Sequence, residues 1–232
     1  FLDADDLLHP NSLYLLVKSA EENQSELVFS SYRKVFSEKR YQDFNFTKSC
    51  YSSFELMSKF FQRRITIGIG NTLILGDIVY KNNLRFKSYR AGTDNHFFRN
   101  LLRFVNMGSS VSEVLFYYQV NSGSIMTATY SKSRLDSIHS VLDTRKTFIQ
   151  DEAGDNVLAS LDVFLVNEIR GNATDYLLSK PDCFTKDHWK FVTENILIYM
   201  PKNLDASVFI GIERFVWSLS NLVFYYFPRM AL

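Results

Sequence analysis

An α/β fold followed by an α-helical region is what the patterning of this chain predicts, and three observations carry the prediction. Up to about residue 128, short runs rich in β-branched and aromatic residues alternate with amphipathic stretches. From Ser131 onward apolar residues recur at helical spacing with few strand signals. A chain of 232 residues with 46% hydrophobic and 16% aromatic content can also bury a substantial core. The expected division is therefore an α/β unit over 1–128 and a helical region over 129–232.

Taken in order, Phe1-Leu2 reads as the end of a buried strand that delivers Asp3-Ala4-Asp5-Asp6 to the carboxyl end of a sheet, where ligands of open α/β sheets sit. His9-Pro10-Asn11-Ser12 punctuates a loop, and Leu13, Leu16, Val17 and Ala20 predict a helix of about three turns. Residues 27–32 and 41–46 read as strands. Ser52-Ser53-Phe54-Glu55 offers a capping box for a helix that ends near Arg63-Arg64 and is broken by Gly68-Ile69-Gly70. Residues 71–75 predict a short strand, 77–81 a short helix, and 84–86 an extended segment leading to Gly92-Thr93-Asp94. From Asn95, Phe97, Phe98, Leu101, Leu102 and Val105 form an apolar core stripe. Residues 112–120 predict a strand ending at the turn cluster Asn121-Ser122-Gly123-Ser124. The helical stripes that follow are Leu135, Ile138, Val141 and Leu142, then Val157, Leu161, Phe164 and Leu165, then Phe191, Ile196 and Ile198. Gly154, Pro181 and Pro201 separate them.

Lys and Arg number 26 against 25 Asp and Glu, so no strong global field draws in nucleic acid, and none is expected as a partner. Cys50 and Cys183 lack any CxxC spacing or nearby His cluster; they read as reduced thiols of a cytosolic protein, not as a disulfide framework or zinc site. The chain begins at Phe1 in mid-element, and neither a signal peptide nor a membrane span of about 20 apolar residues is expected. Residues 215–227 are strongly apolar and aromatic, flanked by Arg214 and Arg229. Packing within the chain is the favoured reading of that stretch, with peripheral attachment to a membrane as its alternative.

Three carboxylates as close as Asp3, Asp5 and Asp6 repel one another and are usually kept together where a cation or several donors neutralise them, so a divalent metal is the natural occupant. The acidic segment 1–10, Asn71-Thr72-Leu73 with Leu84-Arg85-Phe86, Gly92-Thr93-Asp94 with Phe97-Phe98, and Tyr117-Tyr118 with Gly123-Ser124-Ile125 occur in an order that resembles a family 2 glycosyltransferase of the GT-A fold. The resemblance covers about the first 130 residues and implies the second half of a GT-A domain, Rossmann-like and specific for nucleotide-diphospho-sugars. The nucleotide-binding βαβ units would then precede Phe1.

Carried over residue by residue, the resemblance makes Asp3-Ala4-Asp5 the DxD motif. Asp5 coordinates Mg²⁺ or Mn²⁺ on the donor diphosphate, Asp3 reaches the ribose or a metal-bound water, and Asp6 supports both. Asp94 matches the general base of inverting members, a role a carboxylate fills when it reaches the acceptor hydroxyl. It also fits a simple helix cap. Thr93 stands where the family usually carries Glu, which leaves acceptor orientation in question. His96 lies beside Asp94 toward the acceptor, although a partly exposed helix histidine is the commoner situation. Ser124 matches a segment beside the diphosphate. The resemblance implies a nucleotide-sugar donor and a glycan or lipid-linked acceptor, in cell-surface polysaccharide synthesis in the cytoplasm or at the inner face of the cell membrane. A non-catalytic remnant is the alternative. A phosphohydrolase of the haloacid dehalogenase kind fits less well, because Asp6-Leu7 replaces its expected Gly-Thr or Gly-Val.

Overall fold

The computed structural model describes residues 1–120, 130–179 and 186–201. They divide into two compact units, one holding residues 1–88 and 93–120 and the other residues 89–92, 130–179 and 186–201. The first contains, in order, β1 (Leu7–Leu8), α1 (Ser12–Asn23), β2 (Leu27–Ser37), β3 (Arg40–Phe44), β4 (Ser49–Ser52), α2 (Ser53–Phe61), β5 (Thr72–Ile74), α3 (Gly76–Lys81), α4 (Thr93–Leu101) and β6 (Met107–Gln119).

The long strands β2 and β6 run parallel and form the spine of a six-stranded sheet. Each carries two short antiparallel strands along its outer edge. On β6 these are β4 at the beginning and β1 at the end, and on β2 they are β5 at the beginning and β3 at the end. The opening half of β2, Leu27 to Ser31, is buried throughout, and its near-continuous apolar start suits a strand covered on both faces. The pairing with β6 shifts register around Ser31, and beyond it β2 becomes half-exposed while β6 still buries Leu115 and Phe116.

The helices confirm the predicted positions with one change of face. In α1 Leu16 and Ala20 of the expected stripe pack inward, but Leu13 and Val17 are exposed and the buried residues beside Leu16 are Ser12 and Ser19. Hydroxyl groups make that contact. The Ser12 hydroxyl lies 2.7 Å from the Leu115 carbonyl and Ser19 lies 3.2 Å from Ser109, so small polar residues bring the helix close to β6. Leu16 then packs with Val28, Val111 and Leu115. In α2 the capping box is present, with Ser52 accepting from the Glu55 N–H and the Glu55 carboxylate accepting from the Ser52 N–H. The strand β4 just before it was not legible in the sequence, and Phe1-Leu2 does not end a strand: Phe1 is 65% exposed and β1 begins at Leu7.

The second unit is built on α5 (Asp136–Gln150), α6 (Asp155–Leu178) and α7 (Lys186–Asn195). Gly154 occupies the position before α6, as its helix-breaking character predicts. Ile138, Val141 and Phe148 of α5 and Leu161, Val163, Phe164, Leu165, Val166 and Ile169 of α6 supply the core. Arg145 grips Asp162 with both ends of its guanidinium, at 2.6 and 3.3 Å. Ile198, placed in a core stripe by its spacing, is exposed. Among the described residues no helix is long and apolar enough to cross a membrane. The C-terminal stretch 215–227 lies outside the described residues.

One close approach in the first unit sets a test of the packing. Asn71 is buried and fully used: its amide donates to the Ser30 and Thr66 carbonyls and its oxygen accepts from the Gly68 N–H. That clamp presses Gly70 onto the Phe116 ring so tightly that a Cβ there would overlap the ring. Gly70→Ala should therefore cost about 1–3 kcal/mol of stability by overpacking. Denaturant unfolding measures it, and Phe116→Leu in the same chain should recover part of the loss.

Candidate active site

The acidic segment is held against the end of β6 by the short β1 pairing and by one buried carboxylate. The Asp6 N–H donates to the Asp3 carbonyl at 3.2 Å, closing a turn, and Leu7 and Leu8 pair with Tyr117 and Phe116. The Asp6 side chain then reaches one strand position further and accepts from the Gln119 N–H at 2.8 Å. Asp6 is buried while Asp3 and Asp5 remain exposed. The three carboxylates are thus adjacent in the chain but not equivalent. One anchors, and two face solvent.

Burial pushes the Asp6 carboxyl above its ordinary range; the bond from Gln119 pulls it down, and repulsion from Asp5 and Asp3 pushes it up again. Among the described residues no group of three or more His, Cys, Asp or Glu side chains is arranged to hold a metal ion. The donor set nevertheless fits a hard cation in kind, since Asp3 and Asp5 offer exposed carboxylate oxygens beside a third negative charge.

Asp94 is brought to the same region of the unit by aromatic contacts. Phe1, two residues before Asp3, meets Phe97 edge-on with ring centroids 5.7 Å apart, and Phe97 lies on α4 three residues after Asp94. Phe86 stacks on Phe97 at 4.3 Å and meets Phe1 edge-on at 5.1 Å, completing a three-ring cluster. The extended segment 84–86 and the Phe97 stripe, which the sequence read separately, are therefore one structure.

Gly92 adopts a φ of 81°, a conformation that favours glycine and turns the chain into α4. Asp94 sits half-buried in the first helical turn, where its Oδ1 accepts from the Asn95 N–H at 2.8 Å. The local bond makes it a helix-start residue, and the carboxylate stays partly accessible. Thr93 opens the helix. His96, expected at the surface, is instead 4% exposed and its ring lies beside Asn100. Arg99 went unnoticed in the sequence: at 1% exposure it is among the largest fully buried side chains, and nothing in its spacing separates it from an ordinary solvated helix arginine. Arg63 and Arg64 are exposed, as expected for the solvated end of a helix. Ser124 lies outside the described residues.

The raised Asp6 value has a testable sign. Folding favours the neutral acid, so this group's stabilising contribution is present below the ordinary carboxylate pKa and disappears as pH rises through the folded value. Asp6→Asn keeps an acceptor for Gln119 and removes the buried charge. Its thermal stability should match or exceed that of the parent at pH 7 and show a flatter dependence across the acid range. A variant melting well below the parent at pH 7 would mean that ionisation strengthens the Gln119 bond by more than burial costs.

No protein-family model matches the chain, and no curated protein sequence matches it. The likeness is to solved structures. S. aureus TarS 1-349 in complex with UDP-GlcNAc superposes with a TM-score of 0.68 at 13% identity, covering 100% of this chain and 65% of that one. TarS 1-349 without ligand gives 0.65 at 12% identity, and its complex with UDP gives 0.61 at 12%; each covers 100% of this chain and 64% of the other. The chain thus spans slightly less than two thirds of the length of these structures. Identity at this level shows the fold alone, and that fold is the mixed α/β architecture of GT-A-like glycosyltransferases.

Proposed function

We propose that the chain is the C-terminal portion of a GT-A catalytic domain with an added helical region, and that the whole protein transfers sugar from a nucleotide-sugar donor to a glycan or lipid-linked acceptor. The observation that carries this reading is the Phe1–Phe97 contact, which joins the Asp3–Asp6 segment to the helix bearing Asp94 within a GT-A-like fold. The ligands in the TarS structures, UDP-GlcNAc and UDP, support a nucleotide-sugar as donor class.

In this proposal Asp5 and Asp3 hold Mg²⁺ or Mn²⁺, with Asp6 fixing their backbone through Gln119. The bound cation would neutralise the diphosphate and stabilise the departing nucleoside diphosphate. Asp94 removes the acceptor proton as the hydroxyl attacks the anomeric carbon, inverting it. Its Oδ1 is engaged by the Asn95 N–H, which fixes the carboxylate plane and leaves Oδ2 for the proton. Thr93 and His96 then shape the acceptor side, and Ser124 the diphosphate side. The proposed setting is cell-surface polysaccharide synthesis, in the cytoplasm or at the inner face of the membrane, with residues 215–227 as the segment that would make any peripheral contact.

Two measurements on the protein restored to full length test this. UDP-GlcNAc binding by calorimetry should require Mn²⁺ or Mg²⁺ and weaken at least about tenfold in Asp5→Asn, a loss of roughly 1.4 kcal/mol. Equal binding with and without chelator would remove Asp5 from the metal role. Asp94→Asn should keep donor affinity while transfer falls by about two orders of magnitude or more. Parental transfer rates in that variant would make Asp94 a cap only, and absence of transfer in the parent would favour the non-catalytic reading, to which Thr93 in place of the family's Glu already points. The 232-residue chain alone should show no turnover.

A further inference from the structure

The sheet distributes its charges unequally between its two faces beyond the register shift in β2. On one face Arg33 is cancelled by Asp43 through two bonds of 2.6 and 2.9 Å and lies over Tyr41. On the other, strand alternation lines up Tyr32, Lys34 and Phe36 of β2 with Phe44 of β3 and Tyr118 of β6. Here the cations meet rings, not carboxylates. The Lys34 ammonium lies 5.5 Å from the Phe36 ring and 5.7 Å from the Tyr118 ring, and the Arg40 guanidinium lies 4.9 Å from Phe36. Phe36 thus lies near two positive charges that have no carboxylate partner among the described residues. Tyr32 and Phe44 extend the aromatic surface by stacking at 4.6 Å with parallel planes.

This surface adjoins the acidic segment. Asp6 is bonded to the residue next to Tyr118, and β2 is the next strand of the sheet, so the Lys34 row lies about 10 Å from Asp6 at ordinary strand spacing. Aromatic rings offer a face to the C–H side of a sugar ring, and two ammonium- or guanidinium-type charges without counter-ions attract an oxyanion. Arg40 and Lys34 beside one ring bring both kinds of group to one face.

We infer that the Lys34–Phe36–Arg40–Tyr118 face binds an anionic saccharide, one carrying a phosphate or carboxylate group, as the acceptor side of the transferase. The inference rests on the proposed function for the word acceptor, whereas binding itself does not depend on donor or metal.

The test uses the 232-residue chain, with chemical-shift perturbation by NMR, and three sugars that share one ring and differ at the exocyclic carbon: glucose 6-phosphate, glucuronate and glucose. Inorganic phosphate is the fourth probe. Glucose 6-phosphate or glucuronate should perturb residues 32–44 and 116–119 and bind at least tenfold tighter than glucose, and whichever binds better identifies the anion. The double variant Lys34→Gln, Arg40→Gln should lose at least tenfold in that affinity, Phe36→Leu should lose affinity for the sugar, and Arg33→Gln on the opposite face should bind as the parent does. A circular-dichroism melt matching the parent certifies each variant as folded; a variant that fails is replaced by the single change Arg40→Gln in the exposed hairpin. Equal binding of glucose and its anionic relatives, equal binding of inorganic phosphate and glucose 6-phosphate, unchanged affinity in the charge variants, or no perturbation by any probe up to about 10 mM overturns the inference. UDP-GlcNAc binding measured separately on the full-length protein tells this failure from failure of the transferase reading.

Discussion

The parallel pairing of β2 with β6 is the constraint from which the rest of the first unit follows. Parallel strands cannot be joined by a tight turn, so 69 residues of chain, from Glu38 to Asn106, must leave the end of β2 and return to the start of β6. That excursion holds β3, β4, α2, β5, α3 and α4, and its path back to the sheet places Gly70 against Phe116 and Gly108 against Leu56. Glycine at those contacts reflects the space between main chain and side chain, not turn geometry. The same pairing fixes β6 as the strand on which the acidic segment docks, because β6 extends past β4 and leaves its final residues open to β1 and Asp6.

Asp6 shows how one buried polar group can organise a site built from exposed ones. The carboxylate gives up water and stays close to two like charges, both unfavourable, in return for one charge-assisted bond to a backbone N–H. That balance leaves the segment responsive to local charge. Burial is the larger cause that raises Asp6, and a cation near Asp3 and Asp5 would offset only the like-charge repulsion that adds to it.

What the sequence could show was what is local. The Ser52–Glu55 capping box, the stripe from Phe97 to Val105 and the aromatic-rich strand before Asn121 each carry their signal within a few residues, and each is present. Leu13 and Val17 were misplaced because periodicity gives a helix but not which side meets the sheet; in α1 that side was decided by serines small enough to let the backbone approach. Phe1-Leu2 reads as buried by composition, yet burial in a strand needs neighbours on both sides of the chain. The site was legible only as types of residue in an order. The Asp6–Gln119 bond spans 113 positions, and the Phe1–Phe97 contact almost as many, and neither leaves a pattern in a single sequence.

His96 and Arg99 mark the deeper limit of such reading. Both lie on a helix whose alternation of polar and apolar residues predicts exposed charges, and both are buried. The helix start bears Asp94 at the edge of the unit, while the ring cluster of Phe1, Phe86 and Phe97 pins the same turn from one side. Those ring contacts tie the helix to the start of the chain one turn after its first-turn carboxylate. The local bond from the Asn95 N–H and the aromatic contacts of Phe97 thereby act on neighbouring positions of one helix. Such convergence is what the proton-acceptor role proposed for Asp94 would require. In the proposed mechanism the two roles of Asp94 would not compete, because the bond from the Asn95 N–H occupies one carboxylate oxygen and leaves the other.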